Sequence, residues 1–131
     1  MLTKNDKKLI KEAKALVRAK KIRGGATKEV GCVLLTAKGK IFKGVSMDLA
    51  CGIGFCAEHT AISAMITYTN ETHIKTIVAH NNKKVIPPCG RCRELLNLID
   101  KKNLETEVII SDNKKIKLQE LLPFAWDVKR G

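Results

Sequence analysis

Val30-Gly31-Cys32-Val33-Leu34-Leu35-Thr36-Ala37-Lys38-Gly39-Lys40-Ile41-Phe42-Lys43-Gly44-Val45 is the stretch on which the fold turns. Val30 to Thr36 is apolar and β-branched, Ala37 to Lys40 holds a glycine turn, and Ile41 to Val45 is a second apolar run, so the stretch reads as a β-hairpin. Upstream, Thr3 followed three residues later by Asp6 marks a helix start. Leu9, Ile10, Ala13, Leu16 and Val17 then fall on one face, and Lys4, Lys7, Lys8, Lys11, Lys14 and Arg18 on the other. This amphipathic helix is expected to lie on a core and to end near Gly24 and Gly25. Downstream, Ser46 to Phe55 is a loop rich in glycine and small residues, and Cys56 to about Thr69 reads as a helix apolar on most sides. Ile74 to His80 reads as a strand, Gly90 to about Lys102 as a helix, Val108 to Ile110 as a strand, and Ile116 to Leu118 as a fifth short strand. A helical turn at Gln119 to Leu122 is stopped by Pro123. A helix, a hairpin, then strands alternating with helices predict a layered α/β fold on a mixed sheet.

The 131 residues have the length of one domain, taken as 1–131, and 44% apolar residues are enough to bury a core without disulfides. There is no apolar run of about 18 residues, and Lys4, Asp6, Lys7 and Lys8 stand where a signal peptide needs an apolar stretch. The expectation is a soluble, cytoplasmic protein without a membrane partner. Five cysteines, an odd number, fit reduced thiols or metal ligands better than a disulfide framework. The net charge of +12 is spread over the N-terminal segment, the Lys83-Lys84 loop and the Lys114 to Lys117 stretch. Only five aromatic residues accompany it, too few for a base-stacking platform, so a solvated basic surface is expected rather than a nucleic-acid partner.

Chemistry is concentrated in two motifs. Cys89-Gly90-Arg91-Cys92 follows Pro87-Pro88 and opens a predicted helix, where free backbone N–H groups favour thiolates. Cys56 stands at another predicted helix start. Two helix N-termini converging on one ion would supply three thiolates and leave the fourth position of a tetrahedral Zn²⁺ open, as catalytic sites require. Glu58, two residues after Cys56, is placed to take a proton from an attacking water and return it to a ring nitrogen and a leaving amine. A ligand, one residue, a glutamate and a distant Pro-Cys-x-x-Cys together resemble the signature of zinc nucleobase deaminases, with cysteine in place of the usual histidine. The competing reading is a structural Cys₄ zinc site completed by Cys51, in which Glu58 is incidental; it is disfavoured because Cys51 lies five residues before Cys56, in a glycine loop. Cys32, on an apolar strand, reads as a core residue. A basic nucleic-acid-directed deaminase or binding protein is the remaining rival.

With these residues in place, the chain resembles the cytidine deaminase family, and most closely its blasticidin S deaminase branch. The resemblance runs through the hairpin at Gly39 to Val45, Cys56-Ala57-Glu58, Pro88 to Leu96, and Gln119 to Pro123 with Trp126 beyond. It implies a three-layer α/β/α sandwich with a five-stranded mixed sheet, a homotetramer with active sites near subunit contacts, and hydrolysis of a cytosine amine in a small-molecule nucleoside or analogue. It implies Zn²⁺ on Cys56, Cys89 and Cys92, with Glu58 as proton shuttle. Lys28, Ser46, Asp48 and Trp126 fall at substrate-binding positions. Lys28 stands where the family has phenylalanine, and Ser46 and Asp48 where it has the asparagine and glutamate that hold the ribose. His59 and Glu94 replace an arginine and a glutamine. Three thiolates leave Zn²⁺ with net negative charge, so something must draw electron density from the sulfurs; the helix N-termini and a nearby cation are the candidates, with Arg93 the first choice of cation, followed by Arg91 and His59. Lys28 at the pocket mouth is expected to welcome a carboxylate or phosphate.

Overall fold

Strict alternation along the central strands divides the core in two. The computed structural model describes residues 1–127. In β2 (Gly25–Thr36), Cys32 and Leu34 point to one face of the sheet and Val33 and Leu35 to the other. In β4 (Ile74–His80), Ile77 and Ala79 join the first set and Val78 the second. The first face is covered by α2 (Ala57–Tyr68) and α3 (Gly90–Ile99), which contribute Ala61, Ile62, Met65 and Leu96. The second is covered by α1 (Lys4–Leu16), through Leu9 and Ala13. The result is the expected α/β/α sandwich.

Five longer strands form the sheet in the order β3-β2-β4-β6-β7, with β3 at Ile41–Leu49, β6 at Glu107–Ser111 and β7 at Lys114–Lys117. All neighbours are antiparallel except β4 and β6, so the sheet is mixed. Two short strands that the sequence reading did not anticipate bring the total to seven: β1 (Lys20–Ile22) on the start of β2, and β5 (Val85–Ile86) on the end of β4. A four-residue helix, α4 (Leu118–Leu121), ends before Pro123.

Glycines bring the helices close to the sheet. A Cβ on Gly31 would lie 2.7 Å from Leu16 Cβ in α1, and one on Gly44 would lie 2.7 Å from Thr60 Cβ in α2. Substituting either would force the layers apart. The close seat of α2 fixes where its N-terminus, and hence Cys56, stands relative to β3.

Two helices end earlier than periodicity alone predicts. α1 stops at Leu16, not at the Gly24-Gly25 pair, because Val17 is extended and the chain enters β1; Arg18 N–H then donates to Lys28 O at 3.0 Å. α3 stops at Ile99, not Lys102. Asp100 is extended, and its carboxylate accepts from Lys102 N–H at 2.9 Å to start a 3₁₀ turn over Lys101–Glu105. That turn seats the fully buried Asn103, whose Oδ1 accepts from Ile74 N–H and whose Nδ2 donates to the carbonyls of Thr72 and Leu96.

Candidate active site

Both cysteine motifs stand at helix starts, as sequence order suggested. Cys56 is the N-cap residue of α2, Cys89 is the N-cap residue of α3, and Cys92 lies in the first turn of α3. The Cys56 thiol accepts no capping hydrogen bond from α2, whereas the first-turn N–H groups of α3 face the Cys89 sulfur and favour its thiolate form, the form a metal ligand needs. The three sulfurs form one cluster: Cys56 Sγ is 3.6 Å from Cys89 Sγ, Cys89 Sγ is 3.4 Å from Cys92 Sγ, and all lie within 4.8 Å of one another. Ligands about 2.3 Å from a tetrahedral Zn²⁺ stand about 3.8 Å apart, so the sulfurs are spaced to hold that ion. Cys51 is not in the cluster; it sits exposed in the loop with φ 63°, and Cys32 is fully buried in the core. The grouping among the described residues is therefore Cys₃, which leaves one tetrahedral position open.

The electrostatics of the cluster call for a cation. Burial pushes the Cys89 thiol up, but the backbone N–H groups of Cys92 and Arg91 and the neighbouring thiols outweigh it and hold Cys89 below the ordinary thiol range. Burial raises Cys56, helped by Cys89. Burial, then the Glu58 carboxylate, raises Cys92 strongly. Three adjacent sulfurs that cannot all ionise by themselves suit a divalent ion, whose charge stabilises the thiolates.

Glu58 is 4% exposed and lines the same cavity as Cys56 and Cys89. Burial raises its carboxyl above the usual range, opposed by hydrogen bonds from its own backbone N–H and the Cys92 thiol. The cavity has a volume of about 400 Å³, within the range of small-molecule sites. Val30, Met47, Phe55, Ile86 and Pro87 supply apolar walls suited to a flat ring.

Of the residues placed at the substrate by sequence, Ser46 and Asp48 line this cavity, while Lys28 and Trp126 do not. Lys28 is displaced by a bulge. Thr27 pairs with Met47 and Gly31 with Val45, so Lys28, Glu29 and Val30 all stand opposite Ser46. Lys28 takes φ 60°, and Val30 N–H donates to Ser46 Oγ at 3.0 Å. The bulge breaks the inward-outward alternation and sets Glu29 on the cavity wall in place of Lys28. The cation expected at the mouth is thus off the wall, and a carboxylate occupies it.

Trp126 stands elsewhere, 75% exposed, with its backbone N–H donating to Glu94 Oε2 at 2.7 Å. Arg93 is committed to backbone: Nε donates to Pro88 O at 2.8 Å and Nη1 to Leu121 O at 3.1 Å. Among the described residues no hydrogen bond joins Arg93 to a sulfur; it braces the loop before Cys89 against the end of α4. Arg91 lines the cavity, and it depresses the nearby His59, which burial lowers first. Glu29 and Phe55 were not singled out from sequence. Phe55, adjacent to Cys56, was findable there; Glu29 was not, because nothing local announces the bulge.

Comparison with known proteins agrees with this geometry. Residues 3–107 match the family model described as the cytidine and deoxycytidylate deaminase zinc-binding region. A cytidine deaminase of Mycoplasma genitalium is 31% identical over 100 residues, 72% of this chain and 75% of the relative. A cytidine deaminase of Halalkalibacterium halodurans is 29% identical over 103 residues, 75% of this chain and 76% of that protein. The solved cytidine deaminase from Mycobacterium leprae shares the fold with a TM-score of 0.76 at 24% identity, over 93% of this chain and 99% of that one. The structure from Burkholderia pseudomallei has a TM-score of 0.70 at 24% identity, over 95% and 100%. The matched span contains every residue of the sulfur cluster and Glu58, and the chain belongs to the cytidine and deoxycytidylate deaminase zinc-binding family.

Proposed function

We propose that this chain hydrolyses the exocyclic amine of a cytosine-type ring in a free nucleoside or nucleoside analogue, releasing ammonia. The observation that carries the reading is a cluster of three sulfurs, two of which, Cys56 and Cys89, line a single ring-sized cavity together with one buried carboxylate, Glu58. Cys56, Cys89 and Cys92 would hold Zn²⁺, which when bound supplies a Lewis acid that brings the pKa of water near 7. Glu58 takes a proton from the attacking water as its oxygen bonds to the amine-bearing carbon. It delivers that proton to the adjacent ring nitrogen, which takes up the displaced π electrons. It then conveys the water's second proton to the amine. The carbon–nitrogen bond breaks, the electron pair of that bond leaves with ammonia, and the proton on the ring nitrogen stays in the uracil-type product. The raised proton affinity of Glu58 in its buried setting supports both acceptance and return of the proton.

Val30, Phe55, Ile86 and Pro87 would sandwich the ring, while Ser46 and Asp48 meet the sugar side. Ser46 Oγ already accepts from Val30 N–H, so its remaining hydroxyl proton is what it offers a substrate. Arg93 would act on the sulfurs by bracing the Cys89 loop, with its positive charge adding to the two helix N-termini. The blasticidin S deaminase branch is the finer family placement we favour, on the resemblance carried by the hairpin at Gly39 to Val45, the two cysteine motifs, and Gln119 to Pro123 with Trp126 beyond. The whole chain, 1–131, is read as one cytoplasmic domain that assembles as a homotetramer.

The discriminating experiment incubates zinc-loaded protein with cytidine, deoxycytidine, blasticidin S and single-stranded DNA containing cytosine, and measures ammonia. Release from one or more of the small compounds and none from DNA is expected. Deamination confined to the nucleic acid would replace this reading with the strand-directed one.

A further inference from the structure

Glu29 and Asp48 stand on the walls of one cavity, contributed by adjoining strands β2 and β3, and both are solvent-exposed. The charged residues around that cavity are Glu29, Asp48, Glu58 and Arg91. Glu58 is buried, so the accessible part of the wall carries two carboxylates against one guanidinium. Arg91 also borders a neighbouring depression with His59, Thr60 and Ser63, which sets it to the α2 side. Among the described residues neither Glu29 nor Asp48 has a side-chain hydrogen bond or an ion-pair partner, whereas Asp6, Glu12 and Glu107 are each paired with a lysine. Two free carboxylates on a protein of net charge +12 are a local exception to its field.

The backbone holds this arrangement in place. Lys28 is turned by its positive φ, its carbonyl accepts from Arg18 N–H, and Val30 is tied to Ser46 Oγ. Glu29, between these two anchors, has its Cα fixed on the wall.

We infer that Glu29 is a specificity-determining residue which, with Asp48, selects cytosine compounds bearing a cationic group on the side remote from the reacting amine and rejects those bearing a phosphate there. The inference rests on the cytosine-deaminase reading. An ammonium or guanidinium group enters a region where two carboxylates attract it, while a phosphate meets both as like charges. Because the carboxylates are exposed, the preference is screened by salt.

The test compares kcat/KM of the zinc-loaded enzyme for 5′-amino-5′-deoxycytidine and cytidine 5′-monophosphate, at low and high ionic strength, in wild type and Glu29→Gln. Calorimetric binding of the two corresponding uridine compounds gives a readout independent of turnover. Wild type is expected to favour the amino compound by about tenfold or more at low salt, with the ratio shrinking at high salt. Glu29→Gln should reduce the ratio several-fold in both turnover and binding, while its circular dichroism and zinc content match wild type. A ratio unchanged by Glu29→Gln, or a preference for the phosphate, would overturn the inference while leaving deamination intact. Ammonia from no cytosine compound at all would instead remove the deaminase reading and this inference with it.

Discussion

Three sulfurs from residues 33 and 36 positions apart come within bonding range of one ion because two helix starts meet, and each cysteine does something different there. Cys89 gains backbone N–H donors from the first turn of α3, whereas Cys92 is buried beside Glu58. Removing Cys89 breaks the cluster; removing the exposed Cys51 touches nothing in it. Elemental analysis should therefore find one zinc per chain in wild type and in Cys51→Ala, and little or none in Cys89→Ala. Zinc retained equally by both variants would contradict the Cys₃ assignment. The cluster was legible in the sequence because ligand spacing and helix starts are local properties. The cavity wall was not. Whether Lys28 or Glu29 faces inward depends on three residues of β2 matching one of β3, a pairing fact that neither strand carries by itself.

Among the elements, α1 is anchored by a charge network reaching far along the chain. Thr3 and Asp6 form the capping box that the sequence announced, with Asp6 N–H donating to Thr3 Oγ1 and Thr3 N–H to Asp6 Oδ2. What the sequence could not announce is Lys115, on β7, whose Nζ lies 2.8 Å from Asp6 Oδ2 and 2.8 Å from Glu107 Oε2. Burial alone would raise the Asp6 carboxyl, but the bonds from Lys115 and Thr3 outweigh it and hold it below the usual carboxylate range. Since folding lowers the Asp6 pKa, its contribution is present above the unfolded value of about 4 and is lost as pH falls through the folded value. Lys115 is raised by the same partners despite burial, so its part is present below its unfolded value and lost only as pH rises through the folded one. Asp6→Asn should lose about 2 kcal/mol of stability near neutral pH. Denaturant titrations at several pH values should show the gap to wild type closing below about pH 4. A gap that stays constant down to pH 2 would count against the network. The strand and helix order was readable from periodicity, while β1, β5 and the 3₁₀ turn were missed because each depends on pairing or capping between segments rather than on its own pattern.

For the molecule as a whole, the three layers bury α2 on its sheet side through Ala57, Ala61, Ile62 and Met65, while Ile66 and Tyr68 remain exposed near its end at 46% and 76%. Phe124 and Trp126 are exposed as well, on a segment that α3 holds through Glu94. The proposed homotetramer would cover such surfaces. Sedimentation at micromolar concentration should give about four times the 14.5 kDa chain mass; a single-chain mass would rule the assembly out. Fold class was legible at this scale because a hairpin followed by alternating strands and helices admits few layered solutions.

The proton-shuttle role proposed for Glu58 depends on the folded layers bringing two helix starts together and leaving one buried carboxylate beside the sulfur cluster. It is tested most directly by Glu58→Gln, which keeps the side-chain shape but cannot shuttle a proton. Ammonia release from the best small cytosine substrate should fall by about a hundred- to ten-thousand-fold, with one zinc per chain and the melting temperature retained. Turnover near the wild-type rate in that zinc-loaded variant would contradict the account.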